Sequence, residues 1–171
     1  YAAELDGKRS ADDLAFRRNE DEFFNHQIVE QENGHFGNTI VRNFLNDAFY
    51  FLFYNGLTNS NDQMLAALAA KSLKEVKYHL KHSSNWLVRL GDGTNESNKK
   101  VQQSLEDIWK FTGEYFEMDQ IDNDMESSGI GVNNSLLKSR WDEIIDVNLR
   151  TAKLKRPLEG EMNSGSKKGV H

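Results

Sequence analysis

Apolar residues recur every three to four positions over most of the chain, a spacing that is typical of helices burying one face. Strand-like alternation with a period of two is absent from the sequence, and so are internal repeats. Five helical segments are predicted, over residues 14–29 (broken near Asn19), 38–55, 62–90, 97–116 and 135–154. The second segment is apolar nearly all round, which favours a central position. The predicted fold class is all-α, an antiparallel helix bundle.

Glycine, asparagine and aspartate mark the ends of these segments, because they favour turns and caps over helix interiors. Asn33-Gly34 and Gly91-Asp92-Gly93 are predicted breaks. Asn61-Asp62 and Asn134 are predicted caps at the starts of the third and fifth segments. Residues 119–133 are acidic and contain glycine, and they predict a long connection with at most one short turn.

The two ends of the sequence differ from its middle. Tyr1–Leu5 is typical of the last turn of a helix, stopped by Asp6-Gly7, so we expect the sequence to begin inside a longer protein. After Pro157 the chain is too polar to bury the apolar surface that would offset its ordering entropy. The predicted organisation is a partial bundle domain over 1–157 and a flexible tail over 158–171, leading to a further C-terminal helix.

The composition excludes several classes of function. Of 171 residues one is proline and none is cysteine, which favours long helices and excludes disulfides, thiolate metal sites and cysteine nucleophiles. A net charge of −6 repels phosphate backbones, so no nucleic-acid partner is expected. The apolar runs are far shorter than the roughly 20 residues of a membrane span, and no signal peptide is recognisable. The expectation is a cytoplasmic protein without a membrane partner.

In a bundle of long helices, the sharpest chemical possibility is a carboxylate-bridged di-iron centre. Such a centre takes a lone carboxylate from each of two helices and a Glu-x-x-His pair from each of two others. Asp47 lies on the apolar stripe of its segment, so its carboxylate is expected to point into the bundle. It is a metal ligand, the remnant of one, or a buried carboxylate bonded to a neighbouring tyrosine, histidine or lysine, and the last interpretation is the simplest.

Two other patterns approach the spacing of a ligand pair. Glu75 and His79 lie four apart on the inward stripe of the long segment, but the residue three after Glu75 is Tyr78, so an ordinary i, i+4 hydrogen-bonded pair is the simpler interpretation. Glu32 and His35 have the Glu-x-x-His spacing across Asn-Gly, which is a poor helix interior. We interpret that match as a coincidence.

A basic stripe lies opposite the apolar stripe of the long segment. It consists of Lys71, Lys74, Lys77 and Lys81. The simplest interpretation is a solvated face, and the alternative is a surface for an anionic ligand or an acidic partner.

Several ordered strings of the sequence resemble the PaaC family, the structural subunit of the phenylacetyl-CoA epoxidase complex. The similarity covers essentially the whole chain, although the family's first helices and last helix have no counterpart here. The strings are LAF at 14–16, VEQENG at 29–34, NTIVR at 38–42, AKSLKEVKYHL at 70–80, WLVRLGDGT at 86–94, WKFT at 109–112 and GSKKGVH at 165–171.

The resemblance implies a ferritin-like bundle within a multicomponent monooxygenase that epoxidises the ring of phenylacetyl-CoA in phenylacetate degradation. It implies that the di-iron centre and the substrate lie in a paralogous catalytic subunit, and that the present chain holds no cofactor and supports that partner. A separate reductase subunit supplies electrons and is reached indirectly. Asp47, Glu75 and His79 would then mark a vestigial metal site without catalytic roles.

Two other functions remain open from the sequence. In the first, the chain is itself an active di-iron oxygenase whose ligands are Asp47, Glu75 and His79, with Glu32 and His35 as further ligands. Alternatively, it is a helical module that binds a CoA thioester through the basic stripe.

Self-association is a further expectation. Without the family's flanking helices, apolar side chains on the central helices would be left uncovered, which favours association. The side chains in question are Phe44, Phe51, Leu52 and Trp86.

Overall fold

The structure is a computed structural model that describes residues 1–19, 22–158 and 160–164. Within these ranges every regular element is a helix, which confirms the all-α prediction. The α-helices are α1 (Ala2–Asp6), α2 (Ala11–Phe16), α3 (Gln27–Glu30), α4 (Phe36–Leu57), α5 (Gln63–Gly91), α6 (Asn95–Trp109), α7 (Gln120–Ser127) and α8 (Lys138–Thr151). Two 3₁₀ turns, Gly113–Phe116 and Asn134–Leu137, lie between α6 and α8.

Helix α4 is the centre of the bundle, as its apolar pattern predicted. It packs against α3, α5, α6 and α8. Burying each large apolar side chain stabilises the fold by about 1.5–3 kcal/mol, so α4 supplies much of the driving force for folding. The buried residues of α4 are Gly37, Ile40, Val41, Phe44, Leu45, Ala48, Phe49, Leu52 and Leu57.

Helices α4 and α5 form an antiparallel hairpin, because only residues 58–62 connect two long helices that pack along each other. The predicted cap at the start of α5 is confirmed, since the Asp62 carboxylate accepts a hydrogen bond from the Leu65 N–H at 3.0 Å. At the front of the chain, α1 ends at Gly7 with a left-handed φ of 64°, as the stop at Asp6-Gly7 predicted.

Aromatic side chains join α8 and the 3₁₀ turn after α6 to α4. The Phe49 and Tyr115 rings stack with centroids 4.6 Å apart. The Trp141 indole of α8 is buried and donates its Nε1–H to the Leu45 carbonyl at 3.1 Å. Arg156 then holds the segment after α8, because its guanidinium pairs with Asp142 and Asp146. These contacts fix α8 and the segments around it relative to α4.

Some predicted boundaries were wrong. The predicted break near Asn19 is confirmed, but the segment 14–29 contains less helix than predicted, because α2 ends at Phe16 and α3 begins only at Gln27. The segment 97–116 is helical only to Trp109 and continues as a 3₁₀ turn, where the Thr112 hydroxyl donates to the Trp109 carbonyl at 2.8 Å.

The connection 119–133 contains more helix than predicted. Its two-turn helix α7 begins with a capping box in which the side chains of Asp119 and Asp122 accept each other's backbone N–H. Asn134 is not the cap of α8, since it opens a 3₁₀ turn that leads into the helix through Leu137.

The uncovered apolar face predicted from the sequence is smaller than expected. Phe44 and Leu52 are buried, and Phe51 and Trp86 pack partly against the core. The division into a domain at 1–157 and a tail at 158–171 stays a prediction, and most of the tail lies outside the described residues. No helix in the described part of the chain is long and apolar enough to cross a membrane.

A glycine sets the closest approach between α5 and α8. A Cβ at Gly91 would lie 2.3 Å from the Ala152 carbonyl oxygen and 2.9 Å from the Ala152 Cβ. We expect Gly91→Ala to force the two helix ends apart and to lower the free energy of unfolding by about 1–3 kcal/mol. Urea denaturation measures this difference. Gly160→Ala is the control, because a Cβ there meets no atom within 4 Å; equal effects of both substitutions would contradict the prediction.

Candidate functional site

Asp47 sits at the interface between α4 and α5, where the sequence placed a carboxylate pointing inward. It is half-buried, and its Oδ2 accepts a hydrogen bond from the Ser83 hydroxyl at 2.8 Å. The Ser83 side chain is buried. The prediction that a tyrosine, histidine or lysine holds Asp47 was wrong in the identity of the partner, because a small hydroxyl on α5 fits the close helix–helix contact.

Burial raises the pKa of the Asp47 carboxyl above its usual value. The Ser83 hydrogen bond and the charges of His79 and His82 oppose this rise. An ionised carboxylate at this position lowers the stability of the fold. Within residues 22–158 it has one neutral hydrogen-bond donor and no cation bonded to it.

Glu75 and His79 do not face the bundle. Both are exposed on α5, so their predicted inward position was wrong. Within residues 22–158 the structure shows no hydrogen bond between them. The reason is that α5 packs on α4 through the side that carries Val76, Leu80 and Ser83, which are buried or half-buried. An exposed i, i+4 pair gains little over solvation by water.

Glu32 and His35 are not one turn of a helix. Gly34 between them has a left-handed φ of 54°, and His35 is the residue before the first turn of α4. Both side chains are exposed. The rigid geometry that makes Glu-x-x-His a ligand pair is therefore missing at this position.

The donor set around Asp47 does not fit a di-iron centre. Such a centre needs four carboxylates and two histidines converging from four helices. Here one carboxylate is bonded to a serine, and the other candidates point to solvent. Among the described residues, no three side chains of His, Asp or Glu form a group that could hold a metal ion.

Sequence reasoning missed a second polar site in the core. Glu114, in the 3₁₀ turn after α6, is 1% exposed, and its carboxylate accepts the Gln27 N–H at 2.9 Å. Burial raises the pKa of neighbouring Tyr115 well above its usual value, and its hydroxyl donates to the Asn46 side chain at 3.2 Å. A glutamate between Phe111 and Phe116 was the available signal. Its bond to the backbone at the start of α3 gives it a structural role.

The basic stripe and a neighbouring groove lie on the outside of α5. Lys71, Lys74, Lys77 and Lys81 are all exposed, which both interpretations of the stripe require. Further along, a groove of about 630 Å³ opens between α5 and α8. Its lining includes His82, Trp86, Arg89, Asn148 and Thr151. Along its edge, the Phe36 and Trp86 rings meet edge to face at 5.2 Å, and the Arg89 guanidinium lies 5.5 Å from the Trp86 ring centroid.

Comparison with known proteins agrees with the resemblance drawn from the sequence. The profile of a family described as "Phenylacetic acid catabolic protein" matches residues 1–171. The chain is 42% identical over 171 residues to the C subunit of the 1,2-phenylacetyl-CoA epoxidase of Escherichia coli K12. This similarity covers 100% of the chain and 69% of that protein.

The raised pKa of Asp47 predicts a pH-dependent stability difference. The folded chain binds this proton more tightly than the unfolded chain. Ionised Asp47 therefore lowers the free energy of unfolding, and this loss grows as the pH rises from the pKa of the unfolded chain to that of the folded chain. Asp47→Asn is expected to melt at a higher temperature than the native chain near pH 7. This gain is expected to shrink as the pH falls toward about 4, the unfolded pKa of aspartate.

The serine partner supplies the matched test. Ser83→Ala removes the donor to Asp47 and is expected to cost about 1–2 kcal/mol at neutral pH, and less in acid. Ser84→Ala is the control, since the Ser84 hydroxyl bonds to the Leu80 carbonyl of its own helix. Thermal melting across pH measures all three variants; a pH-independent Ser83→Ala effect would argue against the Asp47 contact.

Proposed function

The chain belongs to the PaaA_PaaC family of phenylacetic acid catabolic proteins, and from this premise we propose that it is a non-catalytic subunit of a phenylacetyl-CoA epoxidase. In this proposal it packs on a paralogous catalytic subunit and fixes the shape of that partner. Its 42% identity to the C subunit of the E. coli epoxidase supports a place in such a complex.

The state of Asp47 carries the non-catalytic part of the proposal. Its carboxylate, the one candidate ligand that enters the bundle, accepts a hydrogen bond from Ser83. Glu75 and His79 are exposed to solvent and make no hydrogen bond to it in the described part of the chain. The interior between α4 and α5 thus retains one acidic side chain without the others that a metal pair requires. A di-iron centre in the partner subunit would supply the oxygen chemistry.

The residues of this chain act by holding a rigid surface. The apolar side chains of α4 hold α5 in place, and Trp141 holds α8 by donating to the Leu45 carbonyl of α4. With both helices held on α4, the groove between α5 and α8 keeps its shape. A subunit of this kind contributes orientation rather than bond-breaking.

We assign the contact with the catalytic subunit to the groove edge formed by Phe36, Trp86 and Arg89. Phe36 and Arg89 are exposed, and the three side chains pack together through an edge-to-face and a cation–π contact. Aromatic and arginine side chains are the residues enriched in the energetic centres of protein interfaces.

The location of iron tests the non-catalytic role. In the complex purified with its catalytic subunit, we expect iron to stay with that subunit after the two are separated. Epoxidation by the complex is expected to stay within about twofold when this chain carries Asp47→Asn together with His79→Ala, since ligand loss would cost far more. Metal analysis and turnover assays make the two measurements. Stoichiometric iron in this chain, lost on Asp47→Asn, would show that the chain is itself an oxygenase.

The groove edge is tested by binding. Phe36→Ala combined with Arg89→Ala is expected to weaken binding to the catalytic subunit by about tenfold or more, since it removes an aromatic and an arginine anchor. Surface plasmon resonance measures the affinity. Phe16→Ala is the control, because Phe16 is also exposed, lies on α2 and does not line the groove. An unchanged affinity for the double variant, with native melting, would place the contact elsewhere.

A further inference from the structure

The outer face of α5, near its start, is both basic and apolar. We define this outer face by Met64, Leu68, Lys71, Lys74, Glu75 and Tyr78, all of which are exposed, so the face carries two cations and one carboxylate. Over its whole length α5 carries five cations and one carboxylate, a net charge of +4, in a chain whose net charge is −6. Tyr78 is 67% exposed and extends the apolar part of this face.

Helix α7 has the complementary properties. Residues 117–137 contain five carboxylates and neither lysine nor arginine. Ile121 and Met125 lie four apart on one face of α7 and are exposed, with Ile121 at 71%. Asp124 on the same helix is exposed beside them. Each residue of α7 is at least partly exposed, so this short amphipathic helix has its apolar pair turned to solvent.

We propose that two copies of the chain pair through reciprocal contacts, with α7 of each copy lying along the outer face of α5 of the other. Ile121 and Met125 would cover Met64 and Leu68, and the carboxylates of α7 would face the lysines. The spacings agree, because each apolar pair lies four residues apart, which is about 6 Å along a helix.

The position of α7 in its own chain makes a reciprocal pair possible. Its C-terminal turn is anchored beside the start of α5, where the Asn61 N–H donates to the Gly129 carbonyl at 2.9 Å. The Ser60 hydroxyl donates to the Ile130 carbonyl at 2.8 Å next to it. Both complementary surfaces therefore lie at the same end of the molecule. A two-fold axis at that end brings two α5–α7 contacts together and leaves no open contact that could propagate into a fibre.

The pairing is weak and depends on salt. One short helix covers much less than the roughly 1,200 Å² that stable interfaces bury, so the affinity is expected in the micromolar range even with two contacts. The exposed charges are screened over about 10 Å at 0.1 M salt. Raising NaCl from about 0.05 M to about 0.5 M is therefore expected to shift the equilibrium toward monomer.

Charge reversal tests the pairing by sedimentation velocity over a concentration series of the purified chain at low salt. We expect the native chain to form dimers. Lys71→Glu with Lys74→Glu, and separately Asp124→Lys with Glu126→Lys, are each expected to weaken dimerisation by about tenfold or more. The variant that carries all four reversals is expected to recover the dimer, because the opposite charges again face each other.

The matched control is Lys99→Glu with Lys155→Glu, which lowers the net charge by four, as the lysine reversal on α5 does, at exposed positions outside α5 and α7. This control is expected to dimerise like the native chain. A native monomer at all concentrations would overturn the proposal. A dimer that both charge reversals leave intact would also overturn it, and so would a dimer that the control variant abolishes. The same holds if the reversals abolish binding to the catalytic subunit and leave the dimer unchanged. None of these results bears on the iron measurement, so the two proposals fail separately.

Discussion

Burial of one helix on all its sides is the constraint on which the rest of this molecule depends. Because α4 is apolar nearly all round, it is stable only when α5, α6 and α8 cover it together. Each of those helices needs a single apolar stripe and can leave its other side polar. The aromatic cluster around Phe49 and Trp141 fills the space where these stripes meet. The surfaces discussed for partner contacts lie on the outer sides of the helices that surround α4.

Asp47 is an exception inside this apolar interface, and its energetics are unfavourable. A carboxylate whose pKa is raised by burial costs stability at neutral pH, and a single serine hydroxyl offsets that cost only in part. A leucine or asparagine would suit the fold at least as well. The physical inference is that the position serves no stabilising purpose in the isolated chain, which agrees with its interpretation as the remnant of a ligand set.

Periodicity predicted what depends on local pattern and failed where tertiary contacts decide. The bounds of α4 and α5 came within two residues, since Asp62 and the residues after Gly91 give strong start and stop signals. The split of 97–116 at Thr112-Gly113 depends on packing against the core, which no local spacing reveals. Likewise, the side of α5 that carries Glu75 and His79 could not be read from the sequence. Both its stripes contain polar residues, and only the position of α4 decides which one is covered.

The length of α5 has a mechanical consequence. Its 29 residues make a rod of about 43 Å, capped at one end by Asp62 and wedged at the other where Gly91 meets Ala152. It packs on α4, α6 and α8. A continuous helix held in this way keeps Lys71 in a fixed orientation relative to Trp86 and Arg89. Partners bound at these two positions would therefore stay at a set distance and angle from each other.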